Sequence, residues 1–265
     1  MHYHESGDFD YQKVLAEVAP SQTKAFGAFD AAVFDKDDEV LDLRTKELIA
    51  IGVASTTQCP YCLDVHVGNA KKAGASREEV ARAVFVAAGL RAGAAYTHGF
   101  LAHKISEQGA ELQHFHEPGD RSYLRQLRQT AGGSVEAFQA FDGAVFDPED
   151  EVLSVRDREL IAIAVAATTQ CPYCLAGHVA KAKKAGATEE HLSRAVMIAA
   201  ALRAGGAYTH GLLALKLYDQ KWRFPSGRRR SSGGRTGDRA APDGPRWLPN
   251  GYGSRSSICG RAFIA

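Results

Sequence analysis

The chain says almost everything twice. TTQCPYCLDVHVGNAKKAGAS begins at Thr56, and TTQCPYCLAGHVAKAKKAGAT begins at Thr168. HYHESGD at His2 returns as HFHEPGD at His114, and FGAFDAAVFDKDDEVLDLRTKELIAI at Phe26 returns as FQAFDGAVFDPEDEVLSVRDRELIAI at Phe138. LRAGAAYTHG at Leu90 returns as LRAGGAYTHG at Leu202. Every pair stands 112 residues apart, with no insertion. A strict repeat of domain length implies two copies of one fold: 1–112 as a first helical repeat and 113–224 as a second, joined without a linker.

Each repeat reads as helices. Asp42 and Ser154 are good N-caps for the Ala- and Leu-rich runs that follow, which lack the alternation of a strand. Each Cys-Pro-Tyr-Cys opens a further helix, with Pro60 or Pro172 in the first turn, and Gly74 or Gly186 ends it. Ser76 and Glu79 form a capping box, whose counterpart keeps Thr188 but has His191 for the glutamate. The third helix is expected to run to Gly93, and a fourth to carry His98 toward Lys104. One more helix follows Pro20. No strand is expected, so the fold class is all-α.

Past Phe224 the character changes. Residues 225–265 are rich in Gly, Ser, Pro and Arg without hydrophobic period, so a disordered tail is expected. This tail holds eight Arg and two Asp, leaving 24 basic and 29 acidic residues in the body. An acidic body offers no basic footprint for nucleic acid. No apolar run is long enough to span a bilayer, and the polar N-terminus is no secretory signal, so no membrane partner is expected. The expected compartment is the reducing cytoplasm, where a Cys-x-x-Cys is redox-active or metal-binding rather than structural. Cys259, in the tail, has no match in the repeat.

The paired cysteines carry the chemistry. Cys59 falls near a helix N-cap and Cys62 in the first turn, where free N–H groups and the helix dipole favour a thiolate. His66 lies one turn past Cys62, and Glu47 on the preceding helix can fold back against it. The result is a carboxylate that orients an imidazole, an imidazole that takes a proton, and a thiol that gives it up. A thiol of pKa about 8.5 is roughly 3% ionised at pH 7, against roughly 75% at about 6.5. Glu159, Cys171, Cys174 and His178 repeat the set, and each repeat is expected to build its own independent site. Loss of the Asp64 carboxylate, which becomes Ala176, should favour the thiolate slightly in the second. Cys62 and Cys174 are the expected attacking thiols, with Cys59 and Cys171 resolving. The residues also allow a non-redox proton-transfer enzyme using Glu47 and His66, or a non-catalytic redox-sensing or metal-binding assembly module. His98 and His210, with Tyr96 and Tyr208, are packing groups or auxiliary imidazoles. The HxHE segments (His2, His4, Glu5; His114, His116, Glu117) are expected to be hydrogen-bonded rather than metal-binding.

The spacing Glu-x11-Cys-x2-Cys-x3-His, present twice, resembles the core motif of alkylhydroperoxidase D, within the carboxymuconolactone decarboxylase superfamily. The resemblance covers most of 1–224. It implies an all-helical fold and a peroxidase that reduces hydroperoxides without a bound cofactor, through a redox-active disulfide. It also implies a dithiol, thioredoxin-like or lipoyl reductant, and rings that for a duplicated chain make a homotrimer. Its relay maps to Glu47, His66 and Cys62, and to Glu159, His178 and Cys174. The chain departs from the pattern between its cysteines, where alkylhydroperoxidase D has a histidine and this chain has Tyr61 or Tyr173. The motif stands in both halves, so two active sites are expected.

Overall fold

The computed structural model describes residues 4–219. The 225–265 tail, Cys259 and His2 lie outside the described residues. Among the described residues every regular element is helical. The helices are α1 (Tyr11–Val18), α2 (Pro20–Val33), α3 (Leu43–Thr57), α4 (Pro60–Lys72), α5 (Arg77–Gln108), α6 (Leu124–Val145), α7 (Val155–Thr169), α8 (Pro172–Lys184) and α9 (Glu189–Asp219). Short 3-10 turns at Ser6–Asp10 and Pro118–Tyr123 precede the first helix of each repeat.

The expected punctuation is in place. Asp42 accepts from the Thr45 N–H, and Ser154 from the Asp157 N–H. Gly74 and Gly186 take φ +89° and +84°. Beyond them Ala75 N–H reaches Ala70 O at 2.9 Å and Ala187 N–H reaches Ala182 O at 3.0 Å, the Schellman closure that only a left-handed residue allows cheaply. His191 takes over the missing glutamate's role: its Nδ1 accepts the Thr188 N–H at 3.2 Å.

One boundary differs from expectation. Gly93 does not end a helix, and His98 is carried on the same 32-residue α5. A mid-helix glycine costs only about 1 kcal/mol, less than α5 gains by packing on α3, α6 and α7; a Cβ on Gly93 would meet the Phe138 ring at 3.6 Å, an ordinary contact. The helix expected after Pro20 is present as α2, and the break before it is not a proline effect alone. Ala19 has φ −139° before Pro20, and Ala131 has φ −143° at the matching point of α6, with Gly132 following.

The middle of the molecule is α3 against α7, each buried along its central turns. Their approach is close enough that a Cβ on Gly52 would lie 2.6 Å from Ile161 Cγ2. One core cluster takes in residues of both repeats, among them Leu48, Ile49, Leu160 and Ile161. The repeats are also interlaced at the periphery. α2 of the first lies on α9 of the second, and α6 of the second on α5 of the first. Phe26 stacks on Tyr208 at 4.7 Å, and Phe138 packs on Tyr96 at 4.6 Å. Ion pairs cross in the same sense, Arg194 to Asp38 at 2.8 Å and Arg82 to Asp150. Asp38 also meets Lys46, whose side chain is wholly buried. No helix among the described residues is long and apolar enough to cross a membrane.

Candidate active site

Gln58, in the left-handed conformation at φ 58°, turns the chain out of α3 and into α4. Cys59 is therefore the N-cap of α4, and its sulfur accepts the Cys62 N–H at 3.3 Å. Gln170 and Cys171 do the same for α8, where the Cys174 N–H reaches Cys171 Sγ at 3.3 Å. The four motif cysteines are free and buried, with Cys171 Sγ and Cys174 Sγ 2.7 Å apart.

The folded-back carboxylate is present at both sites. Glu47, buried on α3, holds His66 Nδ1 at 2.7 Å, and Glu159 holds His178 Nδ1 at 2.6 Å. A carboxylate on Nδ1 leaves Nε2 as the basic nitrogen. Phe34 and Phe146 lie against these imidazoles, each 5.1 Å away. Cys62 and His66 open on one cavity of about 220 Å³, and Cys174 and His178 on another of about 170 Å³. Two larger surface grooves, of about 860 and 560 Å³, lie beside Phe85 and Met197, with no thiol or imidazole in their walls.

The sites are not independent, as one helical copy apiece would have made them. Thr209 Oγ1 and His210 Nδ1, on α9 of the second repeat, stand 3.6 and 3.9 Å from Cys59 Sγ in the first. Thr97 Oγ1, on α5 of the first repeat, stands 3.5 Å from Cys171 Sγ in the second. The interlacing of α9 with α4 and of α5 with α8 brings this about.

His210 Nδ1 donates to Gly206 O at 2.8 Å, and His98 Nδ1 to Ala94 O at 2.8 Å. Since a carbonyl only accepts, Nδ1 carries the proton, and the exchangeable nitrogen is Nε2. His98 Nε2 faces exposed His116 Nε2 at 3.4 Å, and the His4 and His210 rings pack edge to face at 5.4 Å. The second histidine of each HxHE thus joins the thiol site from outside. Among the described residues no group of three or more His, Cys, Asp and Glu could hold a metal ion.

Tyr61 and Tyr173 do not replace the histidine of the resembled motif. Their hydroxyls donate to Asp8 and Asp120, away from the sulfurs. Lys216 of α9 pairs with Asp8 at 2.6 Å, and Lys104 of α5 with Asp120 at 2.9 Å. Burial works against each carboxylate's charge, yet the lysine, the tyrosine and a backbone N–H together hold Asp8 and Asp120 below the usual range. These aspartates, their lysines and the threonines beside His98 and His210 are repeated in the sequence, which was the one signal that could have marked them.

The thiols share one charge per pair. Cys59 and Cys171 are each drawn down to about 5. The main cause is the bond from the second thiol, with help against burial from its N–H, from the threonine across the repeat boundary and from the nearby histidine. Cys62 and Cys174 are pushed up because they donate to that thiolate and are themselves buried. Both first cysteines are drawn down alike, and Asp64 is exposed on α4. Burial also pushes Asp30 up, in the wall of the first cavity.

Comparisons agree with this architecture. The model of the carboxymuconolactone decarboxylase family matches twice, at residues 20–104 and 133–217. An uncharacterized protein 4 in the cox locus of Paracoccus denitrificans is 46% identical over 91 residues, covering 34% of this chain and 80% of that protein. An uncharacterized Haemophilus influenzae protein is 46% identical over 84 residues, 32% of this chain and 73% of its own. A Burkholderia xenovorans crystal structure, described as a candidate gamma-carboxymuconolactone decarboxylase subunit, shares the fold. It has a TM-score of 0.58 at 21% identity, over 82% of this chain and 92% of that one. This chain belongs to the carboxymuconolactone decarboxylase family, as two family domains in tandem.

Proposed function

We propose that the protein is a thiol-dependent peroxidase with two Cys-x-x-Cys centres. The observation that carries the reading is the shared cavity at each site: a histidine held by a buried glutamate opens on it beside the second cysteine, while the first cysteine behind holds the charge. Cys62 is the sulfur with access, so it attacks the peroxide. His66 takes its proton, the S–O bond forms as the O–O bond breaks, and the alkoxide leaves as the alcohol with that proton. The Cys59 thiolate then attacks the Cys62 sulfenic acid. The S–S bond forms, hydroxide leaves and is protonated to water, and the two thiols have supplied two electrons. An external dithiol, free or on a thioredoxin-like or lipoyl carrier, takes the disulfide back to thiols. Glu159, His178, Cys174 and Cys171 act alike in the second centre.

The test is turnover of an alkyl hydroperoxide with a dithiol reductant. The parent should consume peroxide, and the double variant Cys62→Ser, Cys174→Ser should lose at least about a hundredfold in rate. Parent-like turnover by that variant would overturn the reading. A cysteine-free variant that still moved protons on a lactone acid would favour the non-redox alternative, which needs only the Glu47–His66 and Glu159–His178 pairs.

A further inference from the structure

The two thiol cavities have the same chemistry at the sulfur but opposite charge at the wall. The first is lined by Phe9, Val65 and Asn69, with the carboxylates of Asp30 and Glu47 and no lysine or arginine. The second has Arg121, Gly177 and Lys181 at the corresponding positions. Its acids are Asp142 in the wall and Glu159, which is already engaged by His178. Neither Arg121 nor Lys181 makes an ion pair among the described residues, although the Lys181 ammonium sits over the Phe146 ring at 5.1 Å.

The second cavity also continues outward. Arg121, Tyr173, Gly177 and Lys181 line it and, equally, an adjoining groove of about 640 Å³. The remaining groove wall is mostly apolar, from Pro118, Pro172, Ala176 and Ala180. Glu117 borders the groove but is spent on Lys104, at a distance typical of a strong pair. In the first repeat the matching positions carry Asp64 for Ala176, Val65 for Gly177 and Phe9 for Arg121, so bulk and a negative charge stand where the second repeat has small residues and a cation.

Resting on the peroxidase reading, we propose that the second site is a binding site for an amphipathic anion, a carboxylate with an alkyl chain, and takes fatty-acid-type hydroperoxides, while the first takes neutral ones. Arg121 and Lys181 hold the carboxylate, and the apolar groove takes the chain. Guanidinium and ammonium together select an anion over a neutral molecule of the same shape. The groove's volume is enough for the greater part of a drug-sized ligand. At the first site the same carboxylate would meet Phe9 and Asn69 in place of the two cations, with Asp30 in the wall and Glu47 engaged by His66 as Glu159 is by His178.

The experiment uses laurate, which carries the carboxylate and chain but no peroxide, so it does not depend on turnover. The reduced full chain is alkylated with iodoacetamide with and without laurate, and the modified cysteines are mapped by peptide mass spectrometry. Laurate should slow alkylation of Cys174 at least about fivefold and leave Cys62 unchanged. Arg121→Gln with Lys181→Gln should remove the protection, and raising salt should weaken it. Protection of both cysteines, or of neither, would overturn the proposal, as would protection that survives the double substitution. Circular dichroism on the variant separates lost binding from lost fold. If laurate protects Cys174 yet the parent consumes no hydroperoxide, the anion site stands and the peroxidase reading falls.

Discussion

At the scale of the residue, the motif positions were legible because the chemistry dictates them: a thiol pair at a helix N-terminus, a histidine one turn on, and a glutamate that folds back. What could not be read was which copy of His98 or His210 serves which thiol. The repeat makes the two histidines equivalent, and only packing sends His210 to Cys59 and Thr97 with His98 to Cys171. The consequence is a crossed dependence. In a chain with Cys171 and Cys174 changed to Ser, His210→Gln should raise the Cys59 pKa, because the imidazole's favourable charge beside the thiolate is lost. His98→Gln should leave it unchanged there, and the pattern should invert when Cys59 and Cys62 are the ones removed. Thiolate absorbance near 240 nm against pH reads this directly, and a same-repeat dependence would contradict it. The same titration in the parent should show one thiolate per repeat, lost as pH falls through about 5. The sign for stability follows. A thiol of ordinary pKa about 8.5 when unfolded binds the proton that the folded thiol has released. Stability of the reduced protein should therefore rise with pH between about 5 and about 8.5, and Cys59→Ser with Cys171→Ser should flatten that rise in chemical denaturation.

At the scale of the element, caps and closures were readable because they are local: Asp42, Ser154, Ser76 and the glycines at 74 and 186 all act within a few residues of themselves. The long α5 was not, because one mid-helix glycine costs too little to stop a helix that packs on α3, α6 and α7, partners far away in sequence. The same logic applies at the α3–α7 crossing. Gly52→Ala would gain about 1 kcal/mol in helix propensity, yet its Cβ would meet the stiff, branched Ile161. Overpacking of this kind costs about 1–3 kcal/mol, so the variant should be less stable on balance. A lower urea midpoint with unchanged slope would show it, and a higher midpoint would contradict the close crossing. Asp38→Ala should cost more, about 3–5 kcal/mol, because it strands the buried Lys46 ammonium without its partner. Asp38→Ala with Lys46→Met should recover much of that loss; if it does not, the pair is not what holds the turn before α3.

At the scale of the whole molecule, two repeats of equal rank do not act as two domains. Each cysteine pair is contacted by the long helix of the other repeat, and each outer aromatic, Phe26 or Phe138, packs on that helix. A fragment of residues 1–112 should therefore pair with a second copy of itself, which supplies α5 in place of α9. Light scattering that found it monomeric and folded at micromolar concentration would contradict the interlacing. The family resemblance implies a homotrimer, and we propose that the two outer grooves lie between its chains. Phe85 and Met197 occupy matching positions in them, 52% and 44% exposed. Phe85→Glu should shift the parent toward the 28.5 kDa single chain. The central claim is that each Cys-Pro-Tyr-Cys is a two-electron peroxide reductant. Its most direct test is mass spectrometry of the reduced chain after two equivalents of alkyl hydroperoxide. The product should be four hydrogens lighter, with Cys59 joined to Cys62 and Cys171 to Cys174, and one alcohol formed per disulfide. A chain that keeps its thiols while the hydroperoxide remains intact would contradict it.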